Sequence, residues 1–259
     1  MTQSLSDQPS ESLMTLYHRP FSRSGRVFWA LVELEKLYGN PEKGGFRFHV
    51  HELPEDFRET KPEWYLQLNP NGKVPFLVDP ASGASLFESC AIVLYLAGKY
   101  DVDGLLSLSD GDPHFFKSRL YQWAFYAAGT VDNLVAHTSP IQRAVVALDP
   151  TDLESGRAPE NLKKARLAWD TVVGPLLEKE ARLPFFMGEN FSLVDIVLGR
   201  SLLKIYEQGR GKKDVGFWLE DGGGEFPKLW SYLQALVVSR RTELEKANVT
   251  RAPFDALLS

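Results

Sequence analysis

The 259-residue chain has a single cysteine, Cys90, which excludes an intramolecular disulfide framework and a multi-cysteine zinc site. That scarcity fits a reducing compartment, and the cytoplasm is the expected location. Long apolar runs are also missing. The longest, Ala91 to Ala97, falls far short of the roughly 20 residues that a membrane-spanning helix needs. Nor is there an excess of base. Lys and Arg total 29 against 34 Asp and Glu, a net charge of -5, so the clustered positive surface that nucleic acid or an anionic membrane requires is not expected. The first 12 residues contain no Lys or Arg and no apolar core, so they read as a loose tail and not as a signal or transit peptide. The five histidines, His18, His49, His51, His114 and His137, show no ligand spacing on one helix, and no metal is expected.

What the chain does have is periodicity. Leu13 to Tyr17 is a short apolar segment ended by His18-Arg19-Pro20. From Arg26 the period lengthens, with Val27, Ala30, Leu31, Leu34, Leu37 and Tyr38 on one helical face. Gly39-Asn40-Pro41 stops that helix, after which Phe46, Phe48 and Val50 alternate with Arg47 and His49 as in a half-buried strand. A strand, a helix and a strand in this order predict a parallel pair. Phe76 to Val78, a turn at Asp79 to Gly83, and Leu86-Phe87 form a hairpin, since so short a linker cannot support a parallel crossover. A helix follows from Ser89. The result is an α/β thioredoxin-like domain, βαβαββα, over residues 13–100.

Strand signals stop beyond Tyr100. Asp112-Pro113 offers a helix start before Phe116, Leu120, Trp123 and Ala127. A second stripe runs from Leu162 to Leu176, with Pro175 expected to kink it. Phe191-Ser192-Leu193-Val194-Asp195 reads as a staple residue, an N-cap and an acidic third residue ahead of an apolar run, and Leu229 to Leu244 gives a last helix. The expected organisation is a tail over 1–12, the α/β domain over 13–100, a linker over 101–111 and an all-α C-terminal helical domain over 112–259. The stretches 138–159 and 209–224 are longer than so compact a domain needs.

Three motifs in order carry a resemblance: Asn69-Pro70-Asn71-Gly72-Lys73-Val74-Pro75, then Phe87-Glu88-Ser89 opening a helix, then Gly188-Glu189-Asn190-Phe191-Ser192-Leu193-Val194-Asp195. Together they resemble the cytosolic glutathione transferases over roughly residues 14 to 245. The opening Ser22-Arg23-Ser24-Gly25-Arg26-Val27-Phe28-Trp29-Ala30-Leu31 resembles the serine-type bacterial and fungal branch.

The resemblance implies a cis Val74–Pro75 bond, with the Val74 N–H and C=O pairing like a β-edge with the cysteinyl part of glutathione. Glu88 and Ser89 stand at a helix start, where free N–H groups and the positive dipole end suit a carboxylate. Ser89 would bind the γ-glutamyl carboxylate and Glu88 the ammonium group; the other reading of Ser89 is a plain helix cap. Lys61 and Lys73 are candidates for the glycyl carboxylate. The catalytic group is expected in the loop between the first strand and the first helix, where Ser22 would donate a hydrogen bond to the glutathione sulfur, with Ser24 as the alternative. Both serines could instead cap the helix, and Arg23 and Arg26 either add positive potential or are surface charges. Cys90 is expected to be buried and inert. Tyr121, Phe125 and Tyr126 are candidates for an apolar acceptor pocket, each of them equally readable as core. The implied function is a transferase that activates glutathione, its co-substrate, as a thiolate against an apolar electrophile, working as a homodimer and independent of metal, nucleic acid and membrane. A non-catalytic interaction or regulatory module of the same fold and a glutathione-dependent peroxidase are the alternatives.

Overall fold

The computed structural model describes residues 13–40, 42, 45–107, 113–134, 160–209, 224–250 and 254–258. The expected tail over 1–12, the stretch 138–159, most of 209–224 and Asp112 lie outside them. The residues gather into two units, one of Met1–Val102 with Lys246–Val249, the other of Asp103–Glu245 with Thr250–Ser259.

The first unit holds a four-stranded sheet in the order β2-β1-β3-β4, with β1 at Met14–His18, β2 at Phe48–Glu52, β3 at Phe76–Asp79 and β4 at Ala84–Phe87. β1 and β2 are parallel, with Thr15 opposite His49, while β3 runs antiparallel to β1 and to β4. α1 (Ser24–Tyr38) and α4 (Ser89–Tyr100) pack against one another, and two short helices, α2 (Phe57–Thr60) and α3 (Glu63–Leu68), connect β2 to β3. This is the thioredoxin-like arrangement that the periodicity predicts. Tyr17, Leu53, Phe57, Tyr65 and Phe76 form a buried cluster against which Val74 packs. Rings such as Phe57 and Tyr65 meet edge to face at 4.9 Å, the geometry that the ring quadrupole favours.

Three boundaries differ from expectation. β1 extends through His18, which is wholly buried because Ser24 gives its imidazole a hydrogen-bonding partner. α1 starts at Ser24, two residues ahead of the apolar stripe. β2 starts at Phe48, leaving Phe46 before the strand, its ring against Tyr100 at 5.1 Å.

In the second unit α5 (Pro113–Tyr126) passes into a π turn at Ala127–Val131. α6 (Glu160–Ala168) passes through a π turn at Trp169–Val173 into α7 (Gly174–Glu180). Pro175 has no N–H to continue the ladder, and the backbone widens in the five residues just ahead of Gly174. Gly174 itself is required by packing: a Cβ there would lie 2.4 Å from the Phe226 ring. At Ser192 the expected cap is present. Asp195 accepts hydrogen bonds from the Ser192 N–H at 2.7 Å, the Ser192 hydroxyl at 3.0 Å and the Phe186 N–H at 2.8 Å, all buried. A π turn at Asp195–Gly199 then leads into α8 (Arg200–Gly209). α9 (Pro227–Lys246) is kinked at Arg240, and the Glu178 carboxylate accepts the N–H groups of Lys228 and Leu229 at its start. A short α10 (Asp255–Leu258) follows.

One polar cluster was not legible in the sequence. Asp79, at the end of β3, is 1% exposed and accepts hydrogen bonds from Lys99 at 2.8 Å, Tyr100 at 2.6 Å, Ser82 at 3.0 Å and Tyr95. Burial pushes its carboxyl pKa up, but these four donors outweigh burial and hold it well below the usual carboxylate range. They tie the hairpin turn to the C-terminal half of α4.

Two predictions follow from these clusters. Asp195→Ala strands three buried donors and should cost about 2 to 4 kcal/mol of stability by denaturant titration. Because the folded-state pKa of Asp79 is depressed, its contribution is present above the unfolded value of 3.8 and disappears as pH falls below it. Melting temperature measured from pH 5 down to pH 2.5 should therefore drop more steeply in the wild type than in Asp79→Asn, which starts lower and varies less.

Candidate glutathione site

Four segments of the first unit carry the candidate residues: the β1–α1 loop, the α2–α3 region, the loop before β3, and the start of α4. In the β1–α1 loop the chain turns at Phe21, whose φ of 58° is uncommon for a bulky residue. The Phe21 N–H donates to the Asn248 carbonyl at 3.1 Å, so the Lys246–Val249 segment braces this loop. Ser22 is half-buried. Its hydroxyl lies 2.7 Å from the Arg19 carbonyl and 2.7 Å from the Ser24 hydroxyl. Ser24 is wholly buried, and its hydroxyl also lies 2.8 Å from His18 Nδ1. Arg23, the residue ahead of α1, makes no side-chain cap, but the Ser22 hydroxyl accepts the N–H of Ser24, the first residue of the helix, at 3.2 Å, so Ser22 also helps cap α1. Arg23 is exposed. Arg26 is wholly buried, which corrects the reading of it as a surface charge: its Nη1 donates to the Ser89 hydroxyl at 2.8 Å.

The loop before β3 is fixed from behind. The Lys73 carbonyl accepts from the Tyr65 hydroxyl at 2.8 Å and from the Asn69 amide at 2.9 Å, and the Gly72 N–H donates to the Asn69 carbonyl at 2.9 Å. Asn69 is 1% exposed. Burial, above all, pushes the Tyr65 hydroxyl pKa up to about 12, so it remains a donor at neutral pH. Val74–Pro75 is a cis peptide. Among the described residues the Val74 N–H and C=O have no hydrogen-bond partner. Lys73 is exposed. The Lys61 Nζ lies 3.7 Å from where a Cβ on Gly72 would stand, so both lysines border the same loop.

At the start of α4, Glu88 is exposed and takes φ 72° and ψ 108°, a conformation that glycine adopts far more readily. Glu88 makes no side-chain cap there, and the first N–H groups of a helix have no partner within it. Ser89, 5% exposed, accepts from Arg26 and retains its own proton to donate. Cys90 is buried. In the second unit Tyr121 and Phe125 are exposed rings one turn apart on α5, 41% and 71% accessible, so neither belongs to the core. Tyr126 is half-buried against Trp123, with ring centroids 5.7 Å apart, and does not share their face. Among the described residues no group of three His, Cys, Asp or Glu could hold a metal ion, and no helix is long and apolar enough to cross a membrane.

Nothing in the sequence singles out Tyr65, the motif holds Asn69 without a role, and Arg26 has two readings; the structure shows Tyr65 and Asn69 pinning the Lys73 carbonyl. Arg26 lies 63 residues from its partner, a separation at which no local pattern operates.

Comparison with known proteins bears on the fold. Residues 16–104 match the family described as "Glutathione S-transferase, N-terminal domain". Over 120 residues the chain is 48% identical to "Glutathione S-transferase 2" of Schizosaccharomyces pombe, a stretch covering 44% of this chain and 45% of that protein. The chain thus spans less than half the length of the curated relatives it matches first. Among solved structures, a glutathione transferase family member from Pseudomonas fluorescens Pf-5 with two glutathione molecules bound superposes with a TM-score of 0.62 at 21% identity, covering 94% of this chain and 96% of that one. A glutathione S-transferase-like protein from Lodderomyces elongisporus does so at 0.61 and 24%, covering 93% and 97%. Residues 16–104 are thus similar to glutathione S-transferase N-terminal domains, and the chain as a whole shares the fold of these solved structures.

The backbone at Glu88 gives a direct prediction. Glu88→Gly relieves an unfavourable φ, whereas Glu88→Ala retains it, so the glycine variant should be more stable than the alanine variant by about 1 kcal/mol in denaturant titration.

Proposed function

We propose that this protein is a cytosolic glutathione transferase of the serine type, which holds glutathione on the first unit and activates its sulfur with Ser22. The observation that carries the reading is the difference in burial between the two serines. Ser24 is wholly buried, while Ser22 is half-buried beside the start of α1. An unperturbed thiol has a pKa of about 8.5, so one donated hydrogen bond near a helix N-terminus suffices to make the thiolate common at neutral pH. Ser22 acts as a donor and not as a base.

In this reading glutathione lies along three fixed features. The γ-glutamyl carboxylate meets the first N–H groups of α4 and the Ser89 hydroxyl, with the Arg26 charge directly behind. The γ-glutamyl ammonium meets the Glu88 carboxylate. The cysteinyl backbone pairs with the unpartnered N–H and C=O of Val74. Lys61 and Lys73, which border the loop before β3, are the candidates for the glycyl carboxylate. The bound thiolate forms a bond to an electrophilic carbon of an apolar small molecule, and the leaving group departs with its electron pair in substitution, or a proton is taken up in addition. A homodimer is part of the proposal.

Calorimetric titration with glutathione and turnover of a chromogenic aryl halide test this directly. Ser22→Ala should bind glutathione within about threefold of the wild type yet lose roughly tenfold or more in kcat, since a donor to a charged acceptor contributes about 1.5 to 3 kcal/mol. Absence of glutathione binding in the wild type would remove the reading. Binding without turnover in either form would favour a non-catalytic module of the same fold.

A further inference from the structure

His18 has no part in the reading above, yet it is the wholly buried end of the hydrogen-bonded chain His18–Ser24–Ser22. A hydroxyl oxygen has one proton and two lone pairs, so the direction of that chain can be worked out. Ser24 Oγ receives the Arg19 N–H at 3.1 Å, His18 Nδ1 lies 2.8 Å from it, and Ser22 Oγ lies 2.7 Å from it. Ser22 Oγ in turn receives the Ser24 N–H at 3.2 Å. The remaining choice is where the imidazole carries its proton.

If the proton sits on Nε2, a buried N–H has no partner among the described residues. Ser24 must then donate to Nδ1, and Ser22 must spend its own proton on Ser24. If it sits on Nδ1, the orphan at Nε2 is a lone pair, less costly to leave than an N–H. Ser24 Oγ then has both lone pairs filled, by the Arg19 and His18 N–H groups, and its proton goes to Ser22 Oγ at 2.7 Å in preference to the more distant Arg19 carbonyl at 3.1 Å. That fills both lone pairs of Ser22, from Ser24 N–H and Ser24 O–H. Ser22 is left with a single role, that of donor, directed at rest to the Arg19 carbonyl 2.7 Å away. A thiolate, being charged, is the stronger acceptor and takes that proton over.

We propose that His18 is a positioning residue which, acting through Ser24, orients the Ser22 hydroxyl as an outward hydrogen-bond donor to the glutathione sulfur. The inference rests on Ser22 being the activating group. Burial lowers the His18 pKa to about 4, so the imidazole is neutral throughout the working range and the chain keeps one direction. Its ring is further fixed edge-on by Phe28, with centroids 5.1 Å apart.

The test measures the pKa of enzyme-bound glutathione by thiolate absorbance, with kcat and KM for an aryl halide, in Ser22→Ala, Ser24→Ala, His18→Leu and His18→Asn. Ser24→Ala and His18→Leu should each raise the thiol pKa by about one unit and lower kcat about tenfold, with KM for glutathione little changed. His18→Asn places an amide N–H where Nδ1–H stood and should restore most of the loss, which a merely space-filling role for His18 would not explain. If His18→Leu fails to fold, Ser24→Ala carries the test, because it removes one oxygen and leaves the packing of β1 intact. Wild-type thiol pKa and kcat in Ser24→Ala, alongside a raised pKa in Ser22→Ala, would overturn the role of His18 and leave Ser22 in place. A wild-type thiol pKa in Ser22→Ala would remove both.

Discussion

The arrangement of the first unit depends on how its central strand ends. All five residues of β1 are buried, and the last of them is a histidine. Placing an imidazole there is tolerable only if it is neutral and hydrogen-bonded, which requires a polar partner within reach. Ser24 supplies it from the first residue of α1, so the strand end and the helix start are locked to each other. The intervening loop must then close over a short distance, which it does with Phe21 at positive φ and the Asn248 carbonyl behind it. Once α1 starts at Ser24, Arg26 falls where it reaches Ser89, and α4 is positioned by the same construction. Two of the segments that carry candidate residues thus follow from one buried contact.

What was legible in the sequence was whatever a short window encodes. Alternation at Phe48 and Val50, the 3.6-residue stripe from Val27, and the hairpin signals around Gly83 each report a solvent-facing and a core-facing side, and the elements formed as they indicate. The cap at Ser192 and Asp195 was legible because both partners lie within four residues. The end of β1 is not legible, because the polarity of His18 signals termination while its imidazole has a buried partner six residues on. α2 and α3, four and six residues long, are shorter than two helical turns and carry too little periodicity to announce themselves. Arg26, Tyr65, Asn69 and Asp79 were misjudged or passed over for one reason. Their roles are set by partners across the fold or by burial that composition does not show, and an isolated Arg or Asp in a sequence is read by default as solvated.

Glu88 shows how such a position can still be interpreted. A non-glycine residue at φ 72° costs the fold on the order of 1 to 3 kcal/mol, and a glycine at the same point would avoid most of that. The side chain itself does nothing evident for the first unit: it is exposed and forms no cap to α4. The dipole of α4 favours a carboxylate beside its N-terminus, but that gain is available to an acidic residue without the strained φ. The combination makes physical sense for a ligand that carries both signs of charge on adjacent atoms. In the proposed complex the α4 N-terminus, Ser89 and Arg26 would meet its anion, and the exposed Glu88 carboxylate would meet its cation. An α-amino acid group, as at the γ-glutamyl end of glutathione, has that pattern. In the proposed complex the strain at Glu88 is offset by the ammonium contact, and so the conformation persists where a ligand contact, and not the stability of the fold, selects the residue.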